Sequence, residues 1–371
     1  YQTDLLTTLE DKHLKLPSLK FGNLISRVPI IQGGMGVGIS LSGLASAVAR
    51  EGGIGVISAA FPGIHEPDIS TNSDEANKRV LRDEIRKARK LTDGILGVNI
   101  MVALTNYGDM VRTSLEEGVD IIFAGAGLPL DLPGYLAKGH KTKLVPIISS
   151  ARAAKILCKK WLNRYDYLPD GFVVEGPKAG GHIGLKREQI SDPEFALERM
   201  VKAVIDIVKK FEDQTNKAIP VIPAGGIYNG KDIHKFIKLG AAGVQLGTRF
   251  VATHECDADE AFKQLYVDSR SEDMVIIQSP VGMPGRAIRN PFLDKVDKGT
   301  QTPFKCPFHC IKTCDSKKSP YCIALALANA RRGRFKYGFA FAGENAYRIK
   351  KIISVKELMD SLKSEYSLVA A

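Results

Sequence analysis

The sequence has no apolar stretch that approaches the ~20 residues needed to span a bilayer as a helix. Its first residues also lack the basic, apolar and small-residue pattern of a secretory signal. No G-x-G-x-x-G fingerprint with an acidic residue downstream occurs in a first βα turn, which argues against a Rossmann sheet. From these absences we expect a cytoplasmic protein that does not enter the membrane.

Acidic residues are fewer than basic ones, and the net charge is +11. The basic residues are scattered, and their one dense cluster comprises Arg331, Arg332, Arg334 and Lys336. Because no nucleic-acid-binding motif accompanies this cluster, we expect no nucleic-acid partner and interpret most of the charge as solvated surface. Docking of an acidic carrier protein or a phosphate-bearing substrate is the second interpretation.

Eight continuous apolar runs recur along the chain, and helical patterns separate them. Unbroken rather than alternating apolarity is typical of strands that are covered on both faces. Eight β/α units predict an α/β fold, a TIM (β/α)8 barrel with a smaller C-terminal lid or insertion domain; a Rossmann-like sheet is the alternative. The predicted strands are Val28–Gln32, Ile54–Ser58, Ile95–Met101, Val119–Phe123, Leu144–Ile148, Gly171–Val174, Val221–Pro223 and Gly243–Leu246.

The chain is predicted to divide into three parts. Residues 1–255 would form the barrel, 256–342 the lid region, and 343–371 a C-terminal helix that returns to the barrel. The mixed polar residues 1–27 are expected to wrap the outside of the barrel. The first barrel helix, Leu41–Glu51, has Ser40 as its predicted N-cap.

A glycine-rich loop follows the sixth predicted strand, where segment 175–184 reads EGPKAGGHIG. Paired glycines let a backbone come close to a flat or charged ligand, and His182 can hold or move a proton near neutral pH. The alternative is a surface turn with an incidental histidine. Glycines also follow strands 1, 4, 7 and 8, at the C-terminal mouths where barrel enzymes build their sites, which favours the functional interpretation.

The turns after strands 7 and 8 read AGGI (224–227) and QLGT (245–248). In barrels this is the usual phosphate site, because backbone N–H groups and a hydroxyl such as that of Thr248 can surround the anion. Ordinary tight turns are the alternative interpretation.

Five motifs together resemble the nitronate monooxygenase family, once called 2-nitropropane dioxygenases: IQGGMG (31–36), GVN (97–99), EGPKAGGH (175–182), PAGGI (223–227) and QLGTRF (245–250). This family also contains the flavin-dependent enoyl-acyl carrier protein reductases. The resemblance runs from about residue 29 to segment 282–286 and resumes near 343–346. The resemblance rests on the five motifs together, since no single motif is specific to the family.

The resemblance implies that an FMN-binding barrel lies beneath the lid and that His182 is the catalytic histidine. The positions that would lie near the isoalloxazine ring or ribityl chain are Gly33, Gly34, Met35, Asn99, Gly180 and Gly181. Those that would hold the phosphate are Gly225, Gly226, Gly247 and Thr248. The remaining matched cofactor-binding positions are Glu175, Lys178 and Gln245.

The implied activity is that of an FMN-dependent oxidoreductase acting on a small molecule, first a nitronate monooxygenase that oxidises alkyl nitronates with O2. His182 would take the α-proton of a neutral nitroalkane or hydrogen-bond the nitro oxygens. The second interpretation is an NAD(P)H-dependent flavin enoyl-thioester reductase, in which His182 would polarise the carbonyl or give a proton. A third is a flavin- or phosphate-binding barrel without turnover. A homodimer is compatible with each.

Four of the six cysteines cluster late in the chain, at Cys306, Cys310, Cys314 and Cys322. In a cytosolic protein such a cluster suggests metal or redox chemistry more than disulfides. Four thiolates could hold a [4Fe–4S] cluster, although the spacing is not that of ferredoxins, or structural zinc, with His309 as an alternative fourth ligand. Disulfides or free thiols under a lid are the remaining alternative.

The segment 285–290 contains two arginines, Arg286 and Arg289. We expect it to form a loop that reaches back to the active site and meets a substrate anion.

Overall fold

The computed structural model describes residues 16–300, 306 and 308–370 of the chain. Each of the eight predicted strands is present, with bounds shifted by at most two residues. The strands are β1 (Leu19–Phe21), β2 (Leu24–Ser26), β3 (Ile30–Gln32), β4 (Gly55–Ser58), β5 (Leu96–Met101), β6 (Ile121–Gly125), β7 (Lys143–Ile148), β8 (Phe172–Glu175), β9 (Gly181–His182), β10 (Val221–Ala224), β11 (Val244–Leu246), β12 (Met274–Gln278) and β13 (Pro284–Ile288).

Eight of these strands form one parallel sheet in the order β3-β11-β10-β8-β7-β6-β5-β4. The two end strands meet through a parallel bridge between Ile31 and Ile54. The Ile54 N–H donates to the Ile30 carbonyl at 3.0 Å, and the Gln32 N–H to the Ile54 carbonyl at 3.0 Å. The sheet is therefore closed on itself, and the predicted TIM barrel is confirmed.

The barrel interior is filled by apolar side chains from alternate strand positions, including Ile31, Val56 and Val173. Leu19 and Phe21 belong to the same interior cluster and are fully buried. They come from the antiparallel pair β1–β2, which closes one end of the barrel. The expectation that residues 1–27 wrap the outside is thus wrong for this pair, because its alternating pattern points every second side chain inward; residues 1–15 lie outside the described part.

The helices are α1 (Ser42–Arg50), α2 (Ser73–Leu91), α3 (Tyr107–Glu116), α4 (Ala151–Tyr165), α5 (Leu197–Thr215), α6 (Gly230–Lys238), α7 (Thr248–Val251), α8 (Glu260–Asp268), α9 (Pro291–Asp297), α10 (Ile323–Arg331) and α11 (Val355–Ala370). Helix α11 packs against α6, α1 and α7. It therefore completes the ring of helices around the barrel, although a long segment separates it from α7 in the sequence. The Glu365 carboxylate, on α11, accepts from the Gly230 N–H at the start of α6 at 2.8 Å.

Helix α1 begins in a way that differs from the prediction. Ser40 is not its cap: the Ser40 hydroxyl accepts from the Met35 N–H at 2.8 Å instead. The N–H groups at the start of the helix have no acceptor within it, and three of them donate to the distant Asp257 carboxylate: those of Leu41 (2.8 Å), Gly43 (3.1 Å) and Leu44 (3.1 Å). A side chain more than 200 positions away therefore does what a local cap does in other helices.

Beyond α7 the chain builds a cover over the C-terminal end of the barrel. Strands β12 and β13 pair antiparallel, and β13 also pairs with β9, which belongs to the loop after β8. The cover and that loop thus share one sheet. No helix of the described residues is long and apolar enough to cross a membrane.

Replacing Asp257 by alanine should destabilise the fold by about 1.5–3 kcal/mol, the range for hydrogen bonds to a charged acceptor, because three N–H groups of α1 lose their partner. Asp259→Ala is the matched control: Asp259 is exposed and caps α8 through one bond to the Ala261 N–H at 2.9 Å. That change should cost about 0.5 kcal/mol. Urea unfolding curves would measure both, and equal losses would contradict the role given to Asp257.

Candidate active site

A cavity of about 300 Å³ lies between the C-terminal ends of the barrel strands and the cover. The structure brings every residue that the sequence assigned to catalysis or to the cofactor to its wall. These residues are Gly33, Gly34, Met35, Asn99, Glu175, Lys178, Gly180, Gly181, His182, Gly225, Gly226, Gln245, Gly247 and Thr248. Parallel strands end at the same edge of the barrel, which is why positions so distant in sequence meet here.

The loop after β3 is held tightly against β5. The fully buried Gln32 amide donates to the Gly33 carbonyl at 2.6 Å and accepts from the Val56 N–H at 3.0 Å. A Cβ on Gly34 would lie 2.3 Å from the Cβ of Asn99. Only glycine allows this approach, so Gly34 and Asn99 form one continuous part of the cavity wall.

The loop that carries His182 is anchored by Arg286. The guanidinium of Arg286, which is 6% exposed, donates through Nη1 to the carbonyls of Pro177 (2.6 Å) and Ala179 (2.9 Å). The expectation that segment 285–290 meets a substrate anion is therefore wrong for Arg286, which is buried, does not line the cavity and engages two backbone carbonyls through Nη1. Arg289 pairs with Asp294 at 2.9 Å instead.

His182 lies in β9, where its backbone is paired with β13. Its Nε2 is 2.7 Å from the Ser279 hydroxyl, and its ring packs edge-on against Phe341 with centroids 4.9 Å apart. Burial lowers the pKa of His182 to about 4, because the imidazolium would lose its hydration. The imidazole is therefore neutral at physiological pH.

Glu175 is a second titratable group on the cavity wall, at the end of β8. Burial raises the pKa of its carboxyl to about 7, since the charged form is the one that loses solvation. Its protonation therefore changes near neutral pH, where that of His182 does not.

The turns predicted to bind phosphate meet at one side of the cavity. Gly225 and Gly226 have φ of +93° and +85°, a region that disfavours side chains, and a Cβ on Gly226 would lie 2.8 Å from Lys178 Cβ. The Lys178 ammonium is 3.3 Å from the Glu344 carboxylate. Two glycine turns and a cation that is paired with a carboxylate thus lie on one side of the cavity.

The segment 343–345 completes this wall and was not assigned to the site from the sequence. The Gly343 N–H donates to the Thr248 hydroxyl at 3.0 Å, and the Asn345 amide donates to the Gly226 carbonyl at 2.7 Å. Its match to the family's motifs was the available signal. The return of residues 343–371 to the barrel was predicted, but no local pattern indicated that 343–345 contact the turns after β10 and β11.

Two further arginines lie beside this wall and were also missed. Both guanidiniums lie over the ring of Tyr228, a residue of the cavity wall: Arg249 is 4.3 Å and Arg348 4.0 Å from the ring centroid. Arg249 also donates to the Tyr228 carbonyl at 2.7 Å. Both contacts place positive charge near the turn 225–226.

The four clustered cysteines are all free thiols. Within residues 16–300, 306 and 308–370, no three or more His, Cys, Asp or Glu side chains form a group that could hold a metal ion. In this metal-free arrangement, burial raises the pKa of the Cys310 thiol to about 12, and the neighbouring cysteines reinforce the shift. The predicted [4Fe–4S] or zinc site therefore gains no support from the described residues.

The cysteine segment instead packs onto the barrel. The Thr105 N–H donates to the Cys310 carbonyl at 3.2 Å, and the Phe308 ring packs edge-on against Phe61 at 5.0 Å. Cys310 and Ile311 thereby become part of the cavity wall.

Comparison with known proteins gives one family. The model of the family described as nitronate monooxygenase matches residues 19–365. A 5-hydroxy-7a-methyl-1-oxo-octahydro-1H-indene-4-carboxyl-CoA dehydrogenase of Mycobacterium tuberculosis is 28% identical over 273 residues; the match covers 74% of this chain and 66% of that protein, just under two thirds. A probable nitronate monooxygenase of Staphylococcus aureus is 26% identical over 306 residues, which are 73% of this chain and 78% of that protein.

Solved structures show the same likeness. FabK from Thermotoga maritima superposes with a TM-score of 0.70 and 28% identity, covering 92% of this chain and 94% of that one. A nitroalkane oxidase from Streptomyces ansochromogenes has a TM-score of 0.71 over 92% of this chain and 97% of that one, at 21% identity, and so shows the fold alone. With the family match spanning nearly the whole chain, the protein belongs to the nitronate monooxygenase family of flavin-dependent oxidoreductases.

Proposed function

We propose that the protein is an FMN-dependent oxidoreductase that oxidises alkyl nitronates with O2. The observation that carries the proposal is the position of His182: a neutral, half-buried imidazole on the wall of a cavity to which the glycine turns of the barrel mouth also contribute. Such a wall suits a flat cofactor, and a neutral imidazole suits a small substrate with oxygen atoms that accept hydrogen bonds.

The residues of the cavity fit FMN. Its phosphate would be held by the peptide groups of Gly225 and Gly226, the Thr248 hydroxyl and the Lys178 ammonium. The isoalloxazine ring would lie against Gly33, Gly34, Met35 and Asn99, where side chains leave the backbone open. When bound, FMN supplies the redox centre that takes electrons from the substrate and passes them to O2.

The protein's own contribution is orientation and exclusion of water. His182 would hydrogen-bond the nitronate oxygens and so fix the substrate, whose negative charge needs a donor in a buried site. The cover, residues 256–342, would act as a lid. Its apolar side chains on the wall, including Val281, Leu327 and Phe341, would keep the site dry while the reaction proceeds.

The second candidate is reduction of an enoyl thioester by NAD(P)H. Two observations favour it: the likeness to FabK, and the apolar side of the cavity, where Phe61, Leu104 and Ile311 could contact an acyl chain. In that case the cluster of Arg331, Arg332, Arg334 and Lys336 is the basic surface for an acidic carrier protein. A barrel without turnover gains no support, since the chain belongs to an enzyme family.

Replacing His182 by alanine should leave FMN bound and lower turnover of a nitronate roughly 10²–10⁴-fold, the range for loss of a positioned hydrogen-bonding or proton-transfer group. Flavin absorbance of the purified protein and initial rates of nitronate consumption measure the two effects. His254→Ala, at an exposed histidine, is the control and should change neither. An unchanged rate in His182→Ala would remove His182 from the mechanism.

Replacing Gly226 by valine should empty the FMN site, because the added side chain collides with Lys178 and fills the proposed phosphate pocket. The ratio of flavin to protein absorbance measures occupancy. Gly240→Val introduces the same strain at another glycine with positive φ, +103°, outside the cavity wall, and should keep its flavin. Full occupancy in Gly226→Val would refute the phosphate assignment.

A further inference from the structure

The hydroxyl of Ser279 is the polar group in contact with the His182 ring. Ser279 Oγ lies 2.7 Å from His182 Nε2, and Ser279 is 3% exposed. The serine follows β12 directly, at the start of the turn that leads into β13. Its N–H donates to the Met283 carbonyl and its carbonyl accepts from the Gly282 N–H, both at 3.0 Å. The hydroxyl is therefore presented by a closed turn rather than by a mobile side chain on a surface.

The protons around this hydroxyl can be counted. Ser279 Oγ has one proton to give and two lone pairs. The Val281 N–H is directed at the oxygen at 3.4 Å, and among the described residues the oxygen's other partner is His182 Nε2. If Nε2 carried a proton, two N–H groups would point at one oxygen and the buried hydroxyl proton would have no acceptor. If Nε2 is bare, the hydroxyl donates to it and every group is satisfied.

The ring cannot easily turn to escape this arrangement. The His182 backbone is paired with Gly285 in the sheet of β9 and β13, and Phe341 packs against the ring. Phe341 is fixed in turn, since its carbonyl accepts from the hydroxyl of the buried Tyr266. With Nε2 engaged by Ser279, Nδ1 is the ring nitrogen that has no partner among the described residues, and His182 is on the cavity wall.

We infer that Ser279 is a positioning residue that holds His182 in the neutral tautomer with its proton on Nδ1, so that His182 meets the substrate as a hydrogen-bond donor and not as a base. A neutral nitroalkane must first lose its α-proton to a base, whereas a nitronate has already lost it. A histidine whose only lone pair is directed at Ser279 cannot take that proton. His182 is therefore not the base that would allow turnover of a neutral nitroalkane, an inference that rests on the proposed function.

The tautomer can be measured without turnover. In FMN-loaded protein labelled with ¹⁵N-histidine, the couplings of the ring nitrogens to the ring protons identify which nitrogen carries the proton. We expect Nδ1–H for His182 in the wild type and in Ser279→Thr, which keeps a hydroxyl. In Ser279→Ala we expect a shift toward Nε2–H. Ser26→Ala removes a buried hydroxyl that donates to the Val28 and Gly52 carbonyls, away from the site, and should leave the His182 signals unchanged.

Substrate rates test the consequence for specificity. With equal concentrations of a nitroalkane and its nitronate, prepared separately, the wild type should consume the nitronate at least tenfold faster. Ser279→Ala should lower kcat/KM for the nitronate about tenfold, and Ser279→Thr should restore most of it. A wild-type His182 with its proton on Nε2, or equal rates on the two substrates, would overturn the inference.

The two measurements separate this inference from the proposed function. If nitronate is not consumed but the spectra show Nδ1–H and its loss in Ser279→Ala, the role of Ser279 holds and the nitronate assignment falls. If nitronate is consumed but His182 carries its proton on Nε2, the function holds and the role of Ser279 is wrong.

Discussion

The site depends on one buried contact between the cover and the barrel, the guanidinium of Arg286 on the carbonyls of Pro177 and Ala179. Burial of this cation is costly and lowers its pKa, so the two carbonyls must compensate for lost hydration. The same contact fixes the glycine loop after β8 to β13, just before β9 begins. His182, Ser279 and Phe341 then have defined positions, because all three belong to or pack on the same small sheet.

A second long-range closure forms the opposite wall of the cavity. The turns after β10 and β11 and the segment 343–345 are tied together by Thr248 and Asn345, and Lys178 reaches Glu344 across the same wall. The chain therefore returns to the barrel twice, once through β13 and once through 343–345, before α11 takes its place in the helical ring. A cofactor held there would be enclosed by elements from nearly the whole chain.

The barrel could be predicted from the sequence because its strands are continuous apolar runs, and their ends identified the cavity wall through the glycines after them. What escaped prediction depends on contacts between distant segments. Asp257, rather than Ser40, meets the N–H groups of α1. Arg286 holds carbonyls rather than a substrate, and β1 buries Leu19 and Phe21 inside the barrel.

The cysteines illustrate the same limit. Their spacing suggested a metal, but spacing does not fix whether four sulfurs converge, and the described arrangement has no such group. Whether a side chain faces a ligand, a carbonyl or the core is decided by tertiary packing. Local composition limits which of these contacts a side chain can make but does not determine which one it makes.

A nitronate is the proposed source of the electrons that reduce FMN. The most direct measurement is an anaerobic visible spectrum of the FMN-loaded protein before and after addition of propionate-3-nitronate, with NADH and NADPH added to separate samples. If the nitronate is the electron donor, it bleaches the flavin and the nicotinamides do not. Bleaching by a nicotinamide with no response to the nitronate would contradict this proposal and would favour the enoyl-thioester reductase.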